Sequence, residues 1–147
     1  MRVKICGLMR KEDVQAAIDS GADAVGFVVQ SPSSRRNLQL IKAKRLIRSV
    51  PVFATKVAVT SAEGWKAVRK ICSTIHPDAL QLYQHDPRVI RKIRGTHPDI
   101  EVILATGMHD RASINEAVRT SRLSNAVLAD TPGKNEMGAL ARYTIGR

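Results

Sequence analysis

The first strand pattern of the chain carries two residues whose types and spacing could do chemistry. Residues 3–6 alternate apolar and polar side chains and stop at Gly7, which is typical of a short strand that ends in a loop. Lys4 and Cys6 are two apart, so their side chains share one face of that strand. A cation beside a thiol favours the thiolate, and a thiolate at the carboxyl end of a strand can act as a base. Cys6 can equally be read as a small buried hydrophobic residue.

Three further polar residues stand in or after apolar segments. Asp130 follows a strand pattern at 126–129 and, taken alone, could simply cap the turn that begins at Thr131. Arg36 ends a Ser-rich loop and, taken alone, could simply be solvated. Gln81 lies within a short apolar strand pattern and could be hydrogen-bonded to its neighbours there.

The elements that would position these residues alternate strictly between strand and helix. Apolar runs predict strands, and periodic segments bounded by Gly or Pro predict helices. Such alternation indicates a parallel sheet covered by helices, and about eight units close a (β/α)8 barrel. We therefore predict an α/β fold, an incomplete (β/α) barrel of the TIM type in a single domain over 1–147, with 131–147 a weakly structured tail. The predicted strands are 3–6, 24–29, 52–59, 78–82, 101–105 and 126–129, and the predicted helices are 11–20, 39–49, 62–75, 87–96 and 112–122.

Composition bounds the class of protein. A chain of 147 residues that is 44% hydrophobic can form one domain with a real core. No secretion signal or long apolar run is evident, so we expect a soluble cytoplasmic protein that does not enter a membrane. The two cysteines are expected to be free thiols, and no pattern predicts a metal site or a cofactor.

The net charge of +11 raises nucleic acid as a partner. The basic residues, however, fall at helical spacing, as solvated outer faces of helices do. Aromatic residues make up only 3% of the chain, so platforms for base stacking are scarce. A charged surface is the favoured interpretation, and nucleic-acid binding is a weaker alternative.

Several segments together resemble the phosphoribosylanthranilate isomerase family, whose members are (β/α)8 enzymes of tryptophan biosynthesis. The resemblance covers residues 1 to about 134, and its segments occur in the family's order. They are KICGL at 4–8, GADAVGFVV at 21–29, the loop that ends in Arg35 and Arg36, DALQLYQHD at 78–86 and AVLADT at 126–131.

The resemblance implies an Amadori rearrangement, in which an aminoaldose becomes an aminoketose. An acid opens the ribose ring by protonating its ring oxygen, and a base removes the proton from C2 of the resulting imine. By resemblance, Cys6 is the base and Asp130 the acid. The substrate, a phosphorylated small molecule, is then bound by Lys4, Gly7, Arg36 and Gln81, with Arg36 on the anthranilate carboxylate.

The sequence departs from the family at particular places. Tyr83 stands where the family usually has histidine, and Leu104 stands where it commonly has lysine, so both positions are expected to remove polar groups from the barrel mouth. The pattern contains no counterpart of strands seven and eight, whose loops hold the substrate phosphate in the family. An alternative function is therefore a non-catalytic truncated barrel that binds a phosphorylated small molecule or a protein partner. Open barrel edges would also favour a homo-oligomer.

Overall fold

The computed structural model describes residues 1–83 and 86–130, and the predicted tail at 131–147 lies outside this part of the chain. The described residues form six strands and five helices that alternate strictly, as predicted. The strands are β1 (Lys4–Cys6), β2 (Ala24–Val28), β3 (Thr55–Thr60), β4 (Ala79–Leu82), β5 (Glu101–Gly107) and β6 (Ala126–Asp130). The helices are α1 (Lys11–Asp19), α2 (Leu40–Ile47), α3 (Gly64–Ile75), α4 (Pro87–Thr96) and α5 (Arg111–Ser121).

All six strands form one parallel sheet in the order β1-β2-β3-β4-β5-β6. Each strand pairs with the next one along the chain, and each intervening segment contains a helix that returns the chain to the starting edge. The carboxyl ends of all six strands therefore lie at one edge of the sheet. Within the described residues β1 and β6 have one neighbouring strand each, so the sheet is an incomplete barrel.

The two faces of the sheet bury different side chains. The outer face packs on the helices, and its Phe27, Leu80 and Leu104 belong to a large apolar cluster that also contains Ile71 of α3 and Ile90 and Ile93 of α4. We call this group the outer cluster. The inner face carries a smaller cluster formed by Val28, Val57, Val59 and Ala79, with Tyr83 and Ile103 packed against it. We call this second group the inner cluster. Polar side chains at the carboxyl edge lie above it.

Each predicted strand differs from the observed one by one to three residues at a boundary, and two of these differences have a clear physical reason. The third strand begins at Thr55, whereas Val52 and Phe53 lie outside it and are 88% and 100% exposed. The backbone N–H of Ala54 donates to the carbonyl of Pro51, which closes a turn where the apolar pattern predicted a strand. The sixth strand includes Asp130, because the register continues to its pairing with Gly107.

An Asp or Asn precedes each even-numbered strand and ties it to the start of the strand before. Its backbone N–H donates to the carbonyl of one residue there, and its side-chain oxygen accepts the N–H of the same residue. The pairs are Asp23 with Val3 (2.9 and 2.6 Å), Asp78 with Lys56 (3.0 and 2.8 Å) and Asn125 with Val102 (2.8 and 2.9 Å). In the sequence this device is visible as the repeated pattern of Asp or Asn followed by Ala.

Part of the apolar surface is left uncovered within the described residues. Val3 and Ile5, on the apolar face predicted for the first strand, are each 40% exposed, and Ile114 and Val118 on α5 are 53% and 61% exposed. Ile114 and Val118 are four apart and so share one face of their helix. The described part of the chain contains no helix long and apolar enough to cross a membrane.

The basic residues of the helices lie mainly on outer faces, as their spacing predicted. The exposed ones are Lys42, Arg45, Arg48, Lys66, Arg69, Lys70, Arg88, Arg91, Lys92 and Arg94. They are spread over α2, α3 and α4, with Arg48 directly after α2, and aromatic residues make up only 3% of the chain. This arrangement favours a solvated surface.

The Asn125 side chain gives a test of the strand-linking device. Asn125→Ala removes the acceptor of the Val102 N–H, and we expect the free energy of unfolding in urea to fall by about 1–2 kcal/mol. The matched control is Asn115→Ala on the exposed surface of α5, for which we expect no loss, because alanine favours the helix. Equal unfolding midpoints for the two variants would contradict this role of Asn125.

Candidate active site

Two groups able to transfer protons end the first and last described strands on the same face of the sheet. Cys6 is the last residue of β1, and the register carries it across β2 to Val57 of the inner cluster. Asp130 is the last residue of β6 and is paired with Gly107, which shares its face of β5 with Ile103. Paired residues of parallel strands point to the same side, so both side chains emerge above the inner cluster.

The Cys6 thiol occupies space that a glycine leaves open. Cys6 is exposed, in contrast to its interpretation as a buried hydrophobic residue. A Cβ placed on Gly26 would lie 2.8 Å from the Cys6 Sγ, closer than real side-chain atoms approach. Gly26 therefore gives the thiol its position at the carboxyl edge.

Gly7 links the end of β1 to Arg36. The backbone of Gly7 has φ +77°, a conformation that side chains rarely adopt, and its N–H donates to the Gly26 carbonyl at 2.9 Å. The carbonyl of Gly7 accepts a hydrogen bond from Arg36 Nη1 at 3.1 Å. A Cβ at Gly7 would lie only 2.4 Å from Arg36 Cδ. The absence of a side chain at position 7 thus brings the exposed guanidinium next to the Cys6 strand end.

The loop that presents Arg36 is held by its own side chains. Ser31 is fully buried, its N–H donates to Asn37 Oδ1 at 3.0 Å, and its Oγ accepts the Ser61 N–H at 2.9 Å. The Arg36 N–H donates to Ser34 Oγ at 3.2 Å. These bonds close the loop on itself and tie it to the chain beyond β3.

Tyr83 connects two buried polar side chains of the inner face. Its hydroxyl donates to Asp130 Oδ2 at 3.1 Å, and Gln81 Nε2 lies 3.5 Å from the same hydroxyl. Gln81 and Asp130 are only 1% and 5% exposed. Within the described residues, Gln81 Oε1 and Asp130 Oδ1 have no hydrogen-bond partner. Each of these oxygens is free to accept a hydrogen bond from a bound molecule.

The pKa of the Tyr83 hydroxyl is raised by its surroundings. Burial raises the pKa of the Tyr83 hydroxyl, and the negative charges of Asp130 and Cys6 raise it further. The phenol therefore stays protonated at neutral pH and acts as a hydrogen-bond donor. Asp130 accepts a hydrogen bond from this hydroxyl, and Cys6 lies on the same face and at the same edge of the sheet, so the three side chains make up one candidate site.

Lys4 lies on the Cys6 face of β1, as predicted, and is half-buried. Its ammonium makes no hydrogen bond or ion pair with any residue in the described ranges, and so it does not hold the thiol directly. Leu104 was expected at the barrel mouth, and that expectation was wrong. Its side chain is fully buried in the outer cluster against the helices, because it alternates with Ile103 of the inner face.

The described residues contain no cluster of three or more His, Cys, Asp or Glu side chains that could hold a metal ion. The second cysteine, Cys72, is fully buried on α3, and burial raises its pKa to about 11. It therefore belongs to the core.

Sequence reasoning missed two contributors to this site. Gly26 was read only as part of an apolar strand, and Tyr83 only as the loss of a histidine. The glycine inside the strand pattern was a usable signal, since glycine in a strand often marks close approach of another group. The contact of Tyr83 with Asp130 spans 47 residues of sequence and left no local signal.

The sequence of this chain is similar to a known protein family and to several of its members. Residues 3–139 match the family model described as N-(5'-phosphoribosyl)anthranilate isomerase. The chain belongs to this family. A relative of that name from Methanothrix thermoacetophila is 38% identical over 142 residues, covering 96% of this chain and 66% of its own length. A relative of the same name from Halorubrum lacusprofundi is 37% identical over 139 residues, which cover 93% of this chain and 63% of the relative.

Solved structures of phosphoribosylanthranilate isomerases share the fold. The structure from Thermotoga maritima superposes with a TM-score of 0.78 at 31% identity, covering 97% of this chain and 68% of that one. Another structure, in complex with reduced 1-(o-carboxyphenylamino)-1-deoxyribulose 5-phosphate, superposes with a TM-score of 0.78 at 33% identity. The superposition covers 89% of this chain and 65% of that one. The present chain spans just under two thirds of the length of the first two curated relatives.

The contrast between the two cysteines can be tested by alkylation. We expect iodoacetamide at pH 8 to modify Cys6 in the folded chain and to leave Cys72 intact, because only an accessible thiolate reacts. With a pKa of about 11, Cys72 is almost entirely in the thiol form at that pH. Peptide mass spectrometry measures both sites, and a reaction in urea provides the control in which both react. Similar rates at the two cysteines of the folded chain would contradict the site geometry.

Proposed function

We propose that this chain carries out the isomerisation of N-(5'-phosphoribosyl)anthranilate, an Amadori rearrangement in tryptophan biosynthesis. The observation that carries the proposal is the position of Cys6 and Asp130 at the carboxyl edge of one sheet face, with Tyr83 interacting with both. In barrels of this type the active site lies at that edge. Membership of the isomerase family supports the same activity.

In the proposed first step Asp130 is the acid. Its carboxyl gives a proton to the ribose ring oxygen, the bond between that oxygen and C1 breaks, and the nitrogen lone pair forms a C1–N double bond. The ring opens to a protonated imine. Asp130 Oδ1, which has no partner among the described residues, is the oxygen available for this transfer.

In the second step Cys6 is the base. Its thiolate takes the proton from C2, the C–H electron pair forms a C1–C2 double bond, and the former C–N pair returns to nitrogen. The resulting enolamine tautomerises to the C2 ketone. One carbon is oxidised and its neighbour reduced within the same molecule, so the balance requires no external redox partner.

The remaining candidate residues have binding roles in this proposal. Arg36 holds the anthranilate carboxylate with its guanidinium fork, and Gly7 keeps it beside the end of β1. Gln81 accepts a hydrogen bond from the substrate through its free Oε1, and Lys4 supplies positive charge for an anionic substrate. The relative crystallised with reduced 1-(o-carboxyphenylamino)-1-deoxyribulose 5-phosphate binds a ligand that carries such a carboxylate and a phosphate.

We further propose a cytoplasmic location, with no metal or cofactor in the reaction and no nucleic acid as partner. A homo-oligomer that pairs the edges at β1 and β6 would cover Val3 and Ile5, which are exposed in the described chain. The same two edges favour the second candidate function, a barrel that binds a phosphorylated small molecule or a protein partner without turnover.

Turnover by the purified chain tests the proposal. We expect loss of substrate fluorescence, with kcat lowered at least about 100-fold in both Cys6→Ala and Asp130→Asn, because each removes one proton-transfer group. Matched controls are Cys72→Ala and Asp19→Asn, which change the same residue types away from the site. If the folded wild-type chain, assayed over a range of concentrations, were no faster than these two site variants, the binding function would replace catalysis.

Arg36 is expected to act on substrate affinity rather than on the chemical steps. Arg36→Met should raise KM about tenfold or more, the scale of a charge-assisted pair, and Arg36→Lys should raise it less. Steady-state kinetics measure the effect, with Arg45→Met on the outer face of α2 as the control for lost charge. An equal KM for the Arg36 and Arg45 variants would exclude the carboxylate contact.

A further inference from the structure

Three polar groups of the inner face form a hydrogen-bond chain with a fixed direction. Gln81 Nε2 can only donate, and it lies 3.5 Å from the Tyr83 hydroxyl oxygen. A phenol has a single proton, which then points to its other partner, Asp130 Oδ2, at 3.1 Å. The chain therefore runs from the amide through the hydroxyl to the carboxylate.

This arrangement makes the two oxygens of Asp130 different. Oδ2 accepts the tyrosine hydroxyl, whereas Oδ1 is buried and without a partner among residues 1–83 and 86–130. Asp130 is 5% exposed, so water does not freely solvate the second oxygen. A carboxyl held through one oxygen has a fixed orientation, so its second oxygen is also held in one place.

We propose that Tyr83 is a positioning residue that holds Asp130 through Oδ2 and leaves Oδ1 as the oxygen that exchanges its proton with the substrate. The proposal rests on the proposed isomerase function, since it assigns Tyr83 a role through the acid of that reaction. Tyr83 itself does not need to touch the reacting atoms.

The other groups around the Tyr83 hydroxyl define what else can influence it. β1 contributes Cys6, whose charge acts on the hydroxyl, and carries Lys4 on the same face. The inner cluster contributes Val28 and Val59 from β2 and β3 and Ile103 from β5, which do not titrate. Asp130 is the only carboxylate bonded to Tyr83 within the described residues.

A purely structural role for Tyr83 is the main alternative, because its ring packs against the inner cluster. Tyr83→Phe separates the two roles. It keeps the ring and the packing but removes the hydroxyl that donates to Asp130. A structural role predicts little change in kcat from this substitution.

The contact itself is tested without any assay of activity. Urea unfolding of wild type, Tyr83→Phe, Asp130→Ala and the double variant gives a double-mutant cycle. We expect the two substitutions to be coupled by about tenfold or more in the unfolding equilibrium constant, the scale of a hydrogen bond to a charged group. Additive effects would overturn the pair, whatever the turnover of the chain.

Kinetics then test the positioning role. In Tyr83→Phe we expect kcat to fall about tenfold with KM changed by less than about twofold, because the hydroxyl acts on the acid and not on substrate binding. The same substitution should have no effect on kcat in the Asp130→Asn background. An unchanged kcat in Tyr83→Phe would overturn the positioning role even if the unfolding cycle shows coupling.

The kinetic experiments distinguish a failure of the Tyr83 positioning role from a failure of the proposed isomerase function. If the folded wild-type chain has no turnover, the isomerase function fails, and the role of Tyr83 in catalysis fails with it. If the wild-type chain turns over and only the Tyr83→Phe predictions fail, the isomerase function stands without this residue.

Discussion

Parallel pairing of consecutive strands is the constraint on which the rest of the structure depends. Because every strand runs in the same direction, all carboxyl ends meet at one edge, whatever their distance along the chain. The period of two along each strand then decides which side chains face inward. Cys6 and Asp130 lie at one edge and on one face of the sheet because both end a strand and both stand at inward positions. Ile103 and Leu104 differ by one residue, and they lie on opposite faces for the same reason.

Small residues make this edge usable as a site. Gly26 is the register partner of Cys6 on the neighbouring strand, so the thiol at the end of β1 has room only because Gly26 has no side chain. At Gly7 the missing Cβ serves a second purpose, since it lets the stem of Arg36 lie across the backbone and lets the guanidinium bond to the carbonyl there. The two glycines therefore set the distances between the proposed base and the proposed carboxylate-binding group, although neither does chemistry.

The sequence predicted most of the fold, since local signals determine most of it. Apolar runs located the strands, and Pro87 after Asp86 marked the start of α4, where the Asp86 carboxylate accepts the Arg88 N–H. The signals failed where a distant contact decides the outcome. Val52 and Phe53 have the composition of a strand but belong to a turn, because strand pairing begins only at Thr55. For the site, a motif could single out Cys6 and Asp130, but the partner of Asp130 depends on how β4 and β6 lie across β5.

Burying the Asp130 carboxylate lowers the stability of the folded chain unless hydrogen bonds compensate for the lost water. Asp130 Oδ1 has no hydrogen bond within the described residues, which costs stability, and the bond from Tyr83 to Oδ2 offsets only part of that cost. Two donors would satisfy the group better, but they would occupy both oxygens and leave none to exchange a proton with a ligand. An acid at this position needs one fixed oxygen and one free oxygen, and a donor with a single proton supplies the first without taking the second. Within the described residues, an Oδ1 without a partner is therefore a cost in stability that the proposed proton-transfer role would require.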